Sequence, residues 1–337
     1  HEADRGVPAM QEMAPGTFIP HLKHLPQDAA LTDESPESDR MKKILTTLFE
    51  VRNSRIHPHK DEKILTDWNG LMMAALARGG QAFDEPVYID AAKRAMEFIY
   101  HNLQTPEGRL MHMFCDGQSR VDGNIDDYSF VIWALLELYE ATFEAGYLLK
   151  ALEYQSHLRA YFRDDHRGGY YFIASDSEKL LKRPKELYDG AVPSGNSLAF
   201  LNALRLSRFT GDAALDEEAH EVYRAFAAVA DATPTAFIQF LCGLDFAIGP
   251  TSEIVIAGKE GARDTLSLLG ALRKSFLPGK VVIFRPESPV QTDIETIAPF
   301  VSPLTAVNSK ATAYVCRNFT CSLPVNDTAE MMALLKD

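Results

Sequence analysis

Apolar positions along this chain follow two helical patterns that alternate. Around 38–55, Met41, Ile44, Leu45, Leu48 and Phe49 recur at i, i+3, i+4, i+7 and i+8, which predicts a one-sided amphipathic helix. The stretches at about 67–83, 126–143 and 194–208 are instead apolar nearly all round, most clearly at Phe130-Val131-Ile132-Trp133-Ala134-Leu135-Leu136. A helix apolar on every face has to be covered on every face. Between them, about 86–103, 147–162 and 213–231 predict amphipathic helices whose outer faces carry Lys93, Glu97, Arg159, Glu217, Glu218 and Glu221. Residues 1–37 show no periodicity and read as an irregular segment.

The connections alternate as well. An apolar helix passes to the next amphipathic one within a few residues, such as Asp84-Glu85 or Thr210-Gly211-Asp212. The return takes long excursions, about 104–125 and 163–193, with strands expected at 109–114 and 170–173. The apolar helices begin near 67, 126 and 194, a repeat of roughly 60–70 residues that argues for a helical array. Buried helices inside a ring of amphipathic ones form an α/α toroid, with its long loops at one end, where function tends to lie. The expected class is therefore mainly α, a partial α/α toroid over 38–249. About seven or eight helices are too few for a closed ring, so the chain reads as a piece of a longer one. From 250 to 337 the pattern changes to short β-branched runs at 253–257 and 281–284 flanking a helix at about 262–276, a small α/β segment.

Composition narrows the function classes. Across 337 residues, Lys and Arg total 34 against 47 Asp and Glu, a formal charge of −13 that opposes binding to nucleic acid or an anionic membrane face. No run approaches the ~18–20 apolar residues of a membrane span. Four cysteines are too few for a disulfide scaffold and point to a reducing, cytoplasmic setting, while the opening on His1 without a signal-peptide pattern reads as a fragment. Cys316 and Cys321, with four residues between them, lack redox or zinc spacing and read as structural thiols. Gly258-Lys259-Glu260-Gly261 matches neither phosphate-loop pattern.

Each apolar helix is entered through polar sequence. Asp67, Asp126 and Ser194 stand where N-caps belong, which is the plain structural reading. Yet three helix N-termini converging on one end would also bring together Asp67, Trp68, Asn69, Asp127, Tyr128, Lys185, Glu186, Tyr188, Asp189, Ser194 and Asn196, a set suited to a hydroxylated ligand. Asn69, Ser194 and Asn196 would bind sugar hydroxyls, Trp68, Tyr128 and Tyr188 would offer ring faces, and Lys185 and Glu186 would sit on the rim. Adjacent helical residues diverge by about 100°, so of Asp126 and Asp127 one is expected to cap and the other, Asp127, to face the cavity. Two chemistries stay open: proton transfer by His57 or His59, as in an epimerase, or hydrolysis by Asp67 with Asp127 or Asp189. His57-x-His59 lacks a third ligand at helical spacing, so no metal and no cofactor are expected.

The entry sequences are specific enough to resemble a family. Asp61-x-Lys63-Ile64-Leu65-Thr66-x-Trp68-Asn69-Gly70-Leu71-Met72, Asp126-Asp127-Tyr128, Arg183-Pro184-Lys185-Glu186-Leu187-Tyr188-Asp189-Gly190-Ala191-x-Pro193-Ser194-Gly195-Asn196-Ser197 and Ala313-Tyr314-Val315-Cys316-Arg317-Asn318-Phe319-x-Cys321 are similar to the thioredoxin-domain-containing, spermatogenesis-associated protein 20 family. The resemblance runs from about residue 40 to the end. It implies a thioredoxin-like domain, absent from this chain, followed by a six-hairpin toroid like those of N-acylglucosamine 2-epimerases and six-hairpin glycosidases, then a short α/β tail. It leaves two functions open: a carbohydrate-active toroid, or a non-catalytic scaffold partnering a thioredoxin-like domain in redox or protein quality control.

Overall fold

The computed structural model describes residues 36–178, 181–288, 290 and 292–336. The segment expected to be irregular therefore lies outside the described residues up to 35, while Pro36 and Glu37 open a helix. The chain divides into two compact units between Asp61 and Glu62. In the first, α1 (Pro36–Asn53) carries the expected apolar stripe, with Met41, Ile44, Leu45, Leu48 and Phe49 all exposed. The boundaries expected from the sequence fall at 37/38 and 249/250.

The second unit is a two-layer helical array. α2 (Thr66–Phe83), α4 (Ile125–Thr142), α6 (Gly195–Thr210) and α8 (Ile238–Ile248) pack in sequence as an inner row. α3 (Pro86–Asn102), α5 (Ala145–Tyr161) and α7 (Ala213–Ala232) back α2, α4 and α6 in turn. This alternation is the partial α/α toroid expected from the pattern. α4 is buried along nearly its whole length, whereas α2 leaves Trp68, Met72 and Phe83 exposed. Among the described residues no helix is long and apolar enough to cross a membrane.

Close packing explains one glycine. A Cβ at Gly70 would lie 2.7 Å from the Phe130 backbone and 2.8 Å from its Cβ, so α2 crosses α4 only because that atom is missing. Farther down, Arg205 of α6 pairs with Glu137 of α4 at 2.7 Å, and Arg78 of α2 approaches the same carboxylate at 3.7 Å. Trp133 Nε1 donates to it as well, at 2.9 Å. One buried carboxylate thus ties three inner helices. On the outer layer Glu218, expected on a solvent face, is buried: Arg159 pairs with it at 2.6 Å, and Gln155 and the Tyr170 hydroxyl donate to it. Its position on the α5 side of α7 outweighs the polar pattern there.

The α/β segment forms a sheet in the order β5-β4-β6-β7, built from β4 (Ser252–Gly258), β5 (Lys280–Pro286), β6 (Thr312–Arg317) and β7 (Thr320–Cys321). α9 (Arg263–Arg273) makes the crossover between parallel β4 and β5; α10 (Asp293–Ile297) and α11 (Thr328–Leu334) complete the segment. Val255 and Ala257 of β4 join the core of the helical body, while Ile254 and Ile256 pack toward α9 and Met331 of α11. β4 thus alternates between two cores, one of them shared with the helices.

Three expectations are corrected here. β6 and β7 set Cys316 opposite Cys321, and the two form a disulfide rather than remaining thiols. Residues 170–173 make only an isolated bridge, Arg163 with Tyr170. The side chain of Asn196 takes both backbone groups of Tyr170, accepting its N–H at 2.9 Å and donating to its carbonyl at 3.0 Å, so an amide replaces a strand partner. Finally, Asp67 and Asp126 are not N-caps of their helices: Leu65 and Asn124 hold those positions, and only Ser194 caps as expected.

Candidate active site at the N-terminal end of the inner helices

The inner helices begin with backbone N–H groups that need acceptors. Here the acceptors come largely from neighbouring segments. Asn124 and Asp127 form a reciprocal capping box on α4, with Asn124 N donating to Asp127 Oδ2 at 2.8 Å. The other oxygen of Asp127 accepts from Asp67 N at 3.0 Å and so serves α2, whose own N-cap Leu65 has no side-chain acceptor. Asp126 Oδ1 accepts from Gly195 N, at 2.7 Å, at the start of α6. A Cβ on Gly195 would come within 2.5 Å of that oxygen. Asp189 serves α8, its Oδ2 accepting from Gln239 N at 2.8 Å and Phe240 N at 3.1 Å. Three carboxylates therefore lash four helix starts together.

A hairpin adds the remaining group. β1 (Ile64–Leu65), just ahead of α2, pairs with β2 (Met111–Cys115), which pairs with β3 (Gln118–Asp122). Thr66 Oγ1 locks the register by donating to the Met111 carbonyl at 2.6 Å. The excursion 104–124 is thereby folded back over the start of α2, and His112 meets Asp127. Its Nδ1 lies 3.0 Å from Oδ1 and 3.1 Å from Oδ2. Asp67, His112 and Asp127 each offer one atom within 4.8 Å of the others. Such an N/O set can approach a divalent cation. However, each Asp127 oxygen already accepts a backbone N–H as well as facing His112, which is the arrangement of an oriented imidazole–carboxylate pair.

The electrostatics follow from burial and crowding. Burial pushes the Asp127 carboxyl up to about 6, opposed by its bond to His112. Burial also pushes Asp126 up to about 7, and the charges of Asp127, Asp67 and Glu186 push the same way. Asp67 is raised by burial too. His112 is raised chiefly by its hydrogen bond to Asp127. All four groups are thus raised together, the carboxyls by burial and the imidazole by its carboxylate partner, and they titrate as a coupled set.

The other expected site residues fall into distinct places. Trp68 is 63% exposed beside Asp67, and Tyr188 is 69% exposed in the loop leading to α6. Tyr128 is buried, its hydroxyl accepting from Arg109 Nε at 3.1 Å and Leu110 N at 3.0 Å, so its ring belongs to the core. Asn69 donates to the Leu65 carbonyl at 2.7 Å. Asn196 is spent on Tyr170 and on the Glu186 carbonyl, and Ser194 on capping Ser197. Asp189 is spent on α8 and Ser194 N. Lys185 pairs with Asp164 at 2.6 Å, and Glu186 is exposed. His57 and His59 belong to the first unit and are exposed, His57 Nε2 donating to the Asn53 carbonyl at 3.3 Å. Of Asp126 and Asp127, both cap, and Asp127 also faces His112. The residue that sequence reasoning passed over is His112. Its one signal was a polar side chain between two methionines in an expected strand.

No family model matches the chain. It is 34% identical over 301 residues to human (Homo sapiens) spermatogenesis-associated protein 20, which covers 86% of this chain and 38% of that protein. It is 29% identical over 295 residues to an uncharacterized protein of Caenorhabditis elegans, covering 85% of this chain and 40% of the relative. The chain thus spans about two fifths of the curated relatives it matches. Among solved structures, cellobiose 2-epimerase from Spirochaeta thermophila is 20% identical with a TM-score of 0.41, over 49% of this chain and 43% of the enzyme. A GH76 α-mannanase of Bacteroides thetaiotaomicron is 16% identical with a TM-score of 0.43, over 57% and 56%. The motifs at the helix entries and the match over most of this chain's length bear out its resemblance to the spermatogenesis-associated protein 20 family.

Proposed function

We propose that this end of the inner helices is a proton-transfer site acting on a sugar or glycoside, with epimerase- or isomerase-like chemistry. The observation that carries the proposal is the His112–Asp127 pair. Asp127 is wholly buried and His112 keeps a quarter of its side-chain surface exposed. Asp127 therefore touches no substrate; it holds the imidazole in one orientation and supports its protonated form. With Nδ1 engaged, exchange with substrate falls to Nε2. His112 would take the proton from a carbon next to a sugar carbonyl, and Asp67, raised by burial, is the neighbouring acid. The exposed Trp68 ring supplies a face for sugar C–H groups.

Hydrolysis is less well supported, because it needs two carboxyls facing the scissile bond. Asp127 is enclosed, and both oxygens of Asp189 accept backbone N–H groups.

The test is solvent exchange in D2O on the complete protein with a panel of aldoses and disaccharides. Deuterium should appear at the carbon next to the carbonyl, and His112→Gln should slow it by about 10²–10⁴-fold. Asp127→Asn should lower kcat and shift the pH profile, while Trp68→Ala should raise KM. New reducing ends would replace the proposal with hydrolysis. No exchange and unchanged thermal stability with every sugar would refute it in favour of a scaffold serving a thioredoxin-like domain.

A further inference from the structure

A second constellation lies on the turn after α5 and the strand-like segment before α6. Asp164, His166, Arg167, Tyr171, Lys182, Arg183 and Lys185 line a recess of about 550 Å³. In a chain of net charge −13, this recess gathers four cations and a histidine against one carboxylate. That carboxylate is already committed. Asp164 Oδ1 accepts from His166 N at 3.0 Å and Arg167 N at 3.1 Å, and Oδ2 accepts from the Tyr171 hydroxyl at 2.9 Å and pairs with Lys185 at 2.6 Å. These bonds, chiefly the one from Lys185, hold its carboxyl well below the usual range, so it stays charged. Asp164 thus neutralises Lys185 and pins the wall, leaving Arg167, Lys182 and Arg183 in excess.

Arg183 is fixed as firmly. Its Nε and Nη2 donate to the Ile173 carbonyl at 3.0 and 2.6 Å, and Nη2 also donates to Tyr161 O at 3.1 Å. Its guanidinium stacks 4.2 Å from the Tyr171 ring centre. The bonds use one edge of the fork, and among the described residues none accepts from Nη1. A planar cation held against an aromatic wall, with Arg167 and Lys182 exposed nearby, suits a tetrahedral dianion approached from several sides.

We propose that this recess binds the phosphate of a sugar phosphate. The sugar rests on the function proposed above; the phosphate rests on the recess alone. One segment links the two sites: Lys185 lines the recess, and the charge of Glu186, the next residue, acts on Asp126.

The experiment is calorimetric titration of the complete protein with glucose, glucose 6-phosphate and inorganic phosphate, repeated with Arg167→Glu/Lys182→Glu. Both residues are exposed, and an unchanged circular dichroism spectrum confirms that the variant folds. The expected result is glucose 6-phosphate bound at least tenfold more tightly than glucose or free phosphate, with that advantage lost in the variant and weakened by salt. Free phosphate bound as tightly as the sugar ester would overturn the assignment to a sugar phosphate. Equal affinity for glucose and its phosphate, or no effect of charge reversal, would overturn the recess as an anion site. Exchange of neutral sugars in D2O reads His112 separately, so either proposal can fail without the other.

Discussion

Replacing Asp126 by asparagine isolates the electrostatic strain of the helix-entry cluster. Asp126 accepts from Gly195 N at 2.7 Å, and an asparagine Oδ1 can accept the same bond. What the substitution removes is a charge that burial opposes, having moved the group from 3.8 to about 7. A carboxyl raised on folding holds its proton longer in the native state than in the unfolded one. Its stabilising contribution is therefore full below its ordinary range, declines as pH rises from about 4 to about 7, and is level above that. A shift of about three units corresponds to roughly 4 kcal/mol lost by pH 8, of which about 2–3 kcal/mol falls between pH 5 and 8. Because Asp126 also raises His112 and stands beside Asp127, removing its charge eases ionisation of the remaining carboxyls, in the same direction. Urea unfolding of parent and Asp126→Asn at pH 4, 6 and 8, at constant ionic strength, should give nearly equal stabilities at pH 4. The variant should then be ahead by roughly 2–4 kcal/mol at pH 8. Parallel curves across that range, or a variant that loses stability at pH 8, would refute the reasoning.

Two further outcomes follow from packing and from the buried ion network. Gly70→Ala should destabilise by about 1–3 kcal/mol or more, since its Cβ would meet the Phe130 backbone, whereas Gly79→Ala, whose nearest neighbour is 3.7 Å away, should gain up to about 1 kcal/mol from helix propensity. Denaturant midpoints of the two variants should move in opposite directions. Arg205→Met should cost about 3–5 kcal/mol by leaving Glu137 and Glu140 buried without their shared cation, and adding Glu137→Gln should recover part of that loss in the same assay.

The helices α2 to α7 and the layer each occupies could be read from periodicity alone, whereas the inner helix α8 was not among the expected elements. α4 is apolar at nearly every position and is buried on nearly every face, while α1 shows the stripe its spacing describes. Errors gathered where an interaction crosses the array. Glu218 looks solvent-facing until α5 brings Arg159 and Gln155 to it, and Cys316 and Cys321 look like structural thiols until β7 turns back beside β6. Of the candidate site residues, Asp67 and Asp127 lie together, while Asp189, Asn196 and Tyr128 are engaged in hydrogen bonds to neighbouring backbone.

Local patterning settled which helices are inner and which outer, because the face a helix buries is set by side chains three and four residues apart. It also settled that polar residues would crowd the inner N-termini, where backbone N–H groups require acceptors. Which carboxylate serves which helix was decided only by the tertiary structure. Asp127 reaches α2 across 60 residues and Asp126 reaches α6 across 69, distances over which sequence spacing carries no geometry. His112 belongs to the same class: its chemistry arises from a hairpin register fixed by two residues of β1, and nothing within the hairpin itself specifies the carboxylate it meets.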